Sequence, residues 1–299
     1  MESSSKEITH NFPPFFKVYK EGRVERYEIW ETAKAGDDPI TGVQTKDVVV
    51  VQESGLKARI FIPKIDGPHQ KLPLLIHYHG GGFCLGSAFG TRTKKFLTSI
   101  VSRAKIIAIS IDYSLAPEHP LPTAYIDSWT ALQWVATHSD GRGPEPWIND
   151  HADLQRVFLT GESAGANIAH YVAVQAGVTR LAGLKVEGLL IVHPFFGGKE
   201  PDLMYKFMCP TSSGCDDEPK LNPAVDPNLK SIVGERMLVC VAEKDWLRNR
   251  GVAYFETLQR AGKVELFETD GEGHCFHLFN PDSEKAEPLL QKMIHFINQ

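Results

Sequence analysis

The sequence predicts a mostly parallel α/β sheet with helices on both faces, and three observations carry that expectation. The regular part of the chain opens on a hairpin signal, continues as a series of uninterrupted apolar runs, and sets helical patterns between those runs. The hairpin pairs DVVVV (Asp47–Val51) with ARIFI (Ala58–Ile62), both rich in β-branched residues and separated by Ser54-Gly55. The apolar runs are Leu72–Gly80, Ile106–Tyr113, Val157–Gly161, Val186–Pro194 and Met237–Asp245, followed by the less apolar Lys263–Glu268. Uninterrupted apolar character is what a strand buried on both faces requires. Between the runs, Tyr125, Trp129 and Leu132 keep helical spacing, and Val252, Phe255 and Leu258 keep it with looser phase. Gly262 reads as the stop of the latter helix, and Leu289, Met293 and Ile297 stripe a final one. The aromatics Phe12, Phe15, Phe16, Tyr27 and Trp30 near the start predict a terminal segment packed on the rest of the protein.

Composition narrows the class. The 299 residues suit two domains or one large α/β domain. With 42% hydrophobic and 23% charged residues the chain is neither disordered nor fibrous. A net charge of −5 supplies no basic field, so neither nucleic acid nor a membrane is expected as a partner. No apolar run approaches the roughly 20 residues that cross a bilayer, and MESSSKEITHNFPP lacks a signal-peptide core. The cysteines Cys84, Cys209, Cys215, Cys240 and Cys275 form no C-x-x-C pair. They read as free thiols of a reducing compartment, hence a cytoplasmic protein, although Cys209 and Cys215 could pair on oxidation. A monomer is the expected state, with a dimer as the alternative.

In sheets of this kind ligands bind beyond the carboxyl ends of the strands, so the chemistry is sought directly after each run. After VFLTG stands Gly161-Glu162-Ser163-Ala164-Gly165, followed by the helical ANIAHYVAVQ: a G-x-S-x-G in strand–turn–helix context. Such a turn exposes the serine hydroxyl, and the helix N-terminus favours a developing oxyanion. The pentapeptide alone is weak, because shuffling produces it in roughly a tenth of chains and an ordinary glycine-rich turn would look the same. After LPLLIHY stands His79-Gly80-Gly81-Gly82, a far rarer match, whose backbone N–H groups can approach a substrate oxygen.

A nucleophilic serine needs a base, and the base needs an orienting carboxylate, in chain order serine, acid, histidine. Asp245, at the end of its apolar run, fits the acid; its plainer role is a helix N-cap, and Glu243 is the reserve. His274, beyond the turn Asp270-Gly271-Glu272-Gly273, fits the base, with His277 as competitor in an expected packing role. His77 and His79 have H-x-H spacing, but no convincing further ligand joins them, so no metal is expected.

These residues resemble the plant class I carboxylesterases of the hormone-sensitive-lipase branch of the α/β-hydrolases. The resemblance rests on HYHGGGFCLGSA (77–88), DYSLAPEHPLPTAYIDSW (112–129), LTGESAGANIAH (159–170), LLIVHPFFGG (189–198), VCVAEKDWLR (239–248) and ETDGEGHCFHLF (268–279), with FFKVYKEGRVER (15–26) near the start. It implies an α/β-hydrolase fold over a single domain, 1–299, with residues 1–40 as part of a lid and about 199–230 completing the lid and the acyl pocket. Position by position it implies Ser163 as nucleophile, His274 as base and Asp245 as its orienter. The backbone N–H groups of Gly81, Gly82 and Ala164 would form the oxyanion hole, and no cofactor is implied. Three departures stand out. Tyr113-Ser114 replaces a tyrosine–arginine step, so an arginine contact is missing; Glu162 stands where aspartate is commoner; and the regions 203–209 and 262–264 look short, which bears on lid and pocket size.

The expected function is hydrolysis of small to medium apolar or aromatic esters, plant metabolites or xenobiotics, through a serine acyl-enzyme. Phe83, Cys84, Phe195, Phe196 and Phe207 are candidate pocket walls, with ordinary core packing as the alternative for each. Two other classes compete. Relatives such as 2-hydroxyisoflavanone dehydratases and alkaloid cyclases do lyase chemistry in the same pocket, the dehydratases with threonine at the nucleophile position. Plant gibberellin receptors bind without catalysis and have lost the histidine that this chain keeps as His274.

Overall fold

The computed structural model describes residues 7–67, 70–260 and 262–299, so residues 1–6 of the expected lid lie outside the described residues. The chain begins with a small antiparallel sheet of β1 (Ile8–Phe12), β2 (Phe16–Tyr19) and β3 (Val24–Arg26). Its inner face buries Phe16 and Val18 in the core, Tyr19 on the other face is covered by Lys17 and Arg23, and Tyr27 and Ile29 just beyond the sheet stay exposed. The hairpin follows as β4 (Gln44–Val51) and β5 (Leu56–Ile62). Strand and helix then alternate: β6 (Leu72–Tyr78), α1 (Thr91–Ala104), β7 (Ile107–Asp112), α2 (Thr123–Ala136), α3 (Pro146–His151), β8 (Ala152–Glu162) and α4 (Ala164–Thr179). The remainder is β9 (Val186–Val192), α5 (Leu203–Met208), β10 (Arg236–Ala242), α6 (Arg248–Leu258), β11 (Lys263–Thr269), α7 (Phe276–Phe279) and α8 (Ala286–Asn298).

The eight strands from β4 onward form one sheet in the order β4-β5-β7-β6-β8-β9-β10-β11. β5 runs antiparallel to both β4 and β7, and every other pairing is parallel. The chain steps from β6 to β7 on one side, then crosses back to β8 on the other. The crevice where strand order reverses therefore lies between the ends of β6 and β8, where Tyr78 pairs with Gly161.

Two apolar layers cover the sheet because alternate side chains of each strand point to opposite faces. Leu74, Ile76 and Tyr78 of β6 join Leu132 of α2, Val172 of α4 and Leu258 of α6 on one face. Leu75 and Phe158 join Leu97 and Val101 of α1 and Leu289 and Met293 of α8 on the other. Each such fully buried side chain contributes roughly 1.5–3 kcal/mol.

Element boundaries moved where sequence pattern and backbone diverged. β10 ends at Ala242, so Asp245 sits in the turn beyond the strand. The helix α6 ends at Leu258, four residues before Gly262, and the Gly262 N–H closes a turn onto the Leu258 carbonyl at 3.1 Å. Gly262 is therefore not the helix stop. Among the described residues no helix is long and apolar enough to cross a membrane.

Candidate active site

Ser163 is the single residue between β8 and α4, and its backbone is held at φ 55°, ψ −118°. A non-glycine residue there is strained, and the surroundings must over-determine it. They do so through close packing. A β-carbon on Gly165 would overlap the Tyr78 carbonyl oxygen, and one on Gly161 would overlap the Gly165 backbone. The two glycines thus let the turn press against the end of β6, which needs the absence of a side chain more than it needs left-handed φ. The Ser163 carbonyl accepts N–H groups from Phe195 at 3.0 Å and Ala166 at 3.1 Å, and its own N–H donates to Val192 at 3.0 Å.

The loop after β6 lies against this elbow. Gly81 and Gly82 have φ of 114° and 61°, conformations that a side chain disfavours. The Gly81 carbonyl accepts N–H groups from Cys84 at 3.1 Å and Leu85 at 2.8 Å, which winds the loop tightly. The N–H groups of Gly81, Gly82 and Ala164 donate to nothing among the described residues. They stand beside Ser163 as unspent donors, the requirement for a hole that receives an oxyanion.

His274 and Asp245 come from loops after β11 and β10, and the His274 Nδ1–H donates to Asp245 Oδ2 at 2.8 Å. Burial alone would push the Asp245 carboxyl up; bonds from His274 and from the Leu247 N–H, with the nearby imidazole, hold it below its ordinary value. Asp245 is not the helix N-cap expected of it: α6 is capped by Leu247 without a side-chain bond, and Asp245 Oδ1 instead accepts the Leu247 N–H in the turn before the helix. Glu243 is exposed and accepts the Gly271 N–H at 2.7 Å, which separates it from His274. Ser163 and His274 line one cavity without bonding to each other, a contact that commonly tightens only when substrate binds.

The other histidines have separate roles. His77 is buried, with Nε2 3.0 Å from Glu162 Oε2 and Nδ1 2.9 Å from Ser110 Oγ. His79 donates from Nδ1 to the Gly80 carbonyl at 2.7 Å and stacks on Tyr113, whose hydroxyl donates to the His79 carbonyl at 2.7 Å. His277 is packed against Phe96 and His193, and burial pushes it down to about 3. The H-x-H pair thus has different partners at each ring. Donor atoms of His193, His274 and Cys275 do lie within 4.8 Å of one another. Burial raises the Cys275 thiol, and Cys84 is pushed up to about 12, so both are poor nucleophiles.

Two cavities meet at Ser163. The larger, about 870 Å³, has His274, Gly81, Trp30, Arg92 and Phe279 in its walls. The smaller, about 290 Å³, is lined by Phe83, Phe195, Met204, Tyr205 and Met208. Ser163, Gly82, Phe15 and Trp246 border both. Three expected pocket residues do not reach either space. Cys84 is fully buried in the core, and Phe196 turns away from its neighbour Phe195 to pack on Tyr254 and His170. Phe207 also lines neither; it packs on His10, Phe12 and Phe16 of the small sheet.

Three positioning residues escaped sequence reading. Arg26 of β3 donates to the Cys84 and Ala116 carbonyls at 2.7 and 3.2 Å and pairs with Glu118, bringing a guanidinium to the loops beside Ser114. Asn167 of α4 donates to the carbonyls of Phe195 and Lys220 and accepts the Tyr125 hydroxyl at 2.8 Å, tying the loops around the smaller cavity together. Phe15 stands over Gly82 between the cavities. Asn167 stands two residues beyond the G-x-S-x-G, and Phe15 was among the aromatics expected to pack on the rest of the protein, but neither pattern named the contact made.

Comparison with known proteins agrees with this fold. A family model described as the alpha/beta hydrolase fold matches residues 75–278. The chain is 42% identical to the Arabidopsis thaliana protein named "Probable carboxylesterase 2", over 100% of this chain and 99% of that one. It is 39% identical to the 2-hydroxyisoflavanone dehydratase of Glycyrrhiza echinata, over 99% and 98% of the two chains. Among solved structures, the esterase of the archaeon Pyrobaculum calidifontis superposes with a TM-score of 0.71 at 26% identity, over 85% of each chain. The chain belongs to the hormone-sensitive-lipase-like α/β-hydrolases, among the plant carboxylesterases, and is a hydrolase.

Proposed function

We propose that the protein hydrolyses small to medium apolar or aromatic carboxylic esters through an acyl-enzyme on Ser163. The observation that carries this reading is the convergence on one cavity of the strained Ser163, of His274 held by Asp245, and of Gly81 and Gly82, whose N–H groups, like that of Ala164 next to Ser163, are unspent. Ser163 Oγ attacks the carbonyl carbon while His274 Nε2 takes the hydroxyl proton. The carbonyl oxygen, now negative, is held by the N–H groups of Gly81, Gly82 and Ala164. As the tetrahedral species collapses, the bond to the alcohol oxygen breaks and His274 returns its proton to the leaving alcohol. Water, deprotonated by His274, then attacks the acyl-enzyme and frees the acid and Ser163. Asp245 keeps Nδ1 protonated, so that Nε2 stays free to accept.

The small sheet β1–β3 and the segment 199–230 act as the lid of a single α/β-hydrolase domain; Phe15 and Met204, which reach the cavity walls, support this. The partner is a small-molecule ester, no cofactor takes part, and the five free thiols support a cytoplasmic setting. Hydrolysis of p-nitrophenyl acetate, butyrate and octanoate by the wild type and Ser163→Ala tests the reading. Turnover abolished by the substitution is expected; turnover that survives it overturns the acyl-enzyme. Relatives named 2-hydroxyisoflavanone dehydratase favour one second reading, loss of water from such a substrate in the same cavity. Formation of the isoflavone from 2-hydroxyisoflavanone at a rate above that of ester turnover would select it.

A further inference from the structure

Ser163 and His274 follow β8 and β11, with β9 and β10 between those strands in the sheet. The turn after β9 reaches both. The Val192 carbonyl accepts the Ser163 N–H at 3.0 Å, and the Phe195 N–H donates to the Ser163 carbonyl at 3.0 Å. His193 lies between those two residues. Its own N–H donates to the Cys240 carbonyl of β10 at 2.8 Å, and its Nδ1 accepts the backbone N–H of Cys275 at 2.8 Å. One short turn therefore grips the nucleophile elbow on one side and the residue after His274 on the other. We infer that His193 is a positioning residue, whose imidazole holds the His274 loop in register with Ser163 through the Cys275 N–H. This rests on the esterase reading above.

The local chemistry asks for that role. His193 has φ 44° and Cys275 φ 52°, left-handed conformations that a non-glycine residue keeps only where its neighbours hold it. The bond joins these two strained points. Among the described residues it is also the one hydrogen bond from the backbone of 273–276 to another element; the Phe276 N–H and the Cys275 carbonyl are spent within the same turn. Asp245 fixes the His274 ring at 2.8 Å, and His193 fixes the chain one residue on. A backbone N–H can only donate, so Nδ1 of His193 is bare and the proton of the neutral ring sits on Nε2. That Nε2 is buried without a partner, in a ring 1% exposed and packed on Phe276 and His277. A buried orphan donor costs stability, and an apolar ring would avoid that cost. What the imidazole supplies that such a ring lacks is the acceptor. Burial, with His277 and His274 nearby, keeps the ring neutral although Asp245 pulls the other way, so Nδ1 stays available. His193 lines neither cavity at Ser163, so it acts on the reaction only through the loop.

Two arms test the assignment. In the wild-type protein, isotope-labelled at the histidine nitrogens, NMR near neutral pH should show His193 uncharged with its proton on Nε2. An Nδ1–H tautomer or an imidazolium there overturns the proposal. In the second arm, His193→Leu removes the acceptor and should lower kcat for p-nitrophenyl acetate by about 100-fold, as a small displacement of a catalytic group does, with KM within about twofold of wild type. His193→Asn sets Oδ1 close to the place of Nδ1 and suits a positive φ, so it should regain at least about tenfold of that loss. Equal kcat in the two variants, or a loss carried by KM, in proteins that both stay folded by circular dichroism overturns the proposal and leaves the esterase reading standing. Where His193→Leu does not fold, the tautomer and His193→Asn decide, the latter expected within about tenfold of wild-type kcat. Absence of any Ser163-dependent ester turnover in the wild type overturns the esterase reading itself, while the tautomer still reports whether His193 holds the Cys275 N–H.

Discussion

Among the described residues two histidine–carboxylate pairs have a serine nearby, and the more exposed of the two borders the large cavity. His274 meets Asp245 at 2.8 Å near Ser163; His77 meets Glu162 at 3.0 Å and Ser110 at 2.9 Å. The side chain of His274 is 23% exposed and that of His77 2%. Ser110 sits in mid-strand on β7, paired with Arg59 on one side and His77 on the other, so its backbone is extended and its neighbours' donors are spent in the sheet. Ser163 sits on a strained turn beside three unspent N–H groups. Residue types alone therefore do not make the site. What differs is the turn, the donors and the cavity, and the inner set braces the strand ends beneath the outer one.

The strongest test of this contrast removes the serines in turn. Ser163→Ala and His274→Ala are each expected to lower kcat for p-nitrophenyl acetate by about 10⁴-fold or more. Ser110→Ala should stay within about tenfold of wild type in kcat and lose about 1–3 kcal/mol in urea denaturation, because His77 Nδ1 is left without its partner. Asp245→Asn comes next, with a kcat loss of about 10³–10⁴-fold at little cost in stability, since the amide holds the wrong imidazole tautomer. The inner pair should respond the other way. Glu162→Leu strands a buried imidazole and is expected to cost about 3 kcal/mol of stability, with kcat falling less than in Asp245→Asn.

Much of this was legible because the candidate catalytic groups follow strands. Ser163 and the glycines of the loop after β6 were marked by short motifs whose context is local, and the continuous apolar runs announced the parallel strands. Asp245 was found although its strand stops at Ala242, because chain order and residue type sufficed. What was hidden depends on which way neighbours turn. Phe195 and Phe196 are adjacent in sequence, yet one lines the smaller cavity and the other packs on Tyr254. Phe83 and Cys84 divide in the same manner between cavity and core. Arg26 and Phe15 act on loops more than fifty residues away, and no local pattern marks such a contact. The helix α1 was overlooked although Leu97, Ile100, Val101 and Ala104 keep its spacing.

The effect with the least bearing on activity concerns buried histidines that have no carboxylate. Burial pushes His170 and His277 down to about 3 and lowers His193 well below its usual value. In the unfolded chain these rings take up protons below about pH 6.5, while the folded protein keeps them neutral. The unfolded state then binds more protons, so stability present above pH 6.5 is lost as pH falls toward 3. Each ring contributes about 1.4 kcal/mol per pH unit in that window. The urea midpoint should fall between pH 7 and pH 5, and His277→Phe should flatten the slope.

One measurement separates the two sets most directly: the mass of the intact protein after reaction with diethyl p-nitrophenyl phosphate, followed by peptide mapping. The account predicts a single diethylphosphoryl adduct on Ser163, formed at a wild-type rate in Ser110→Ala and suppressed in His274→Ala. An adduct on another residue, or labelling of Ser163 that persists undiminished without His274, would contradict it.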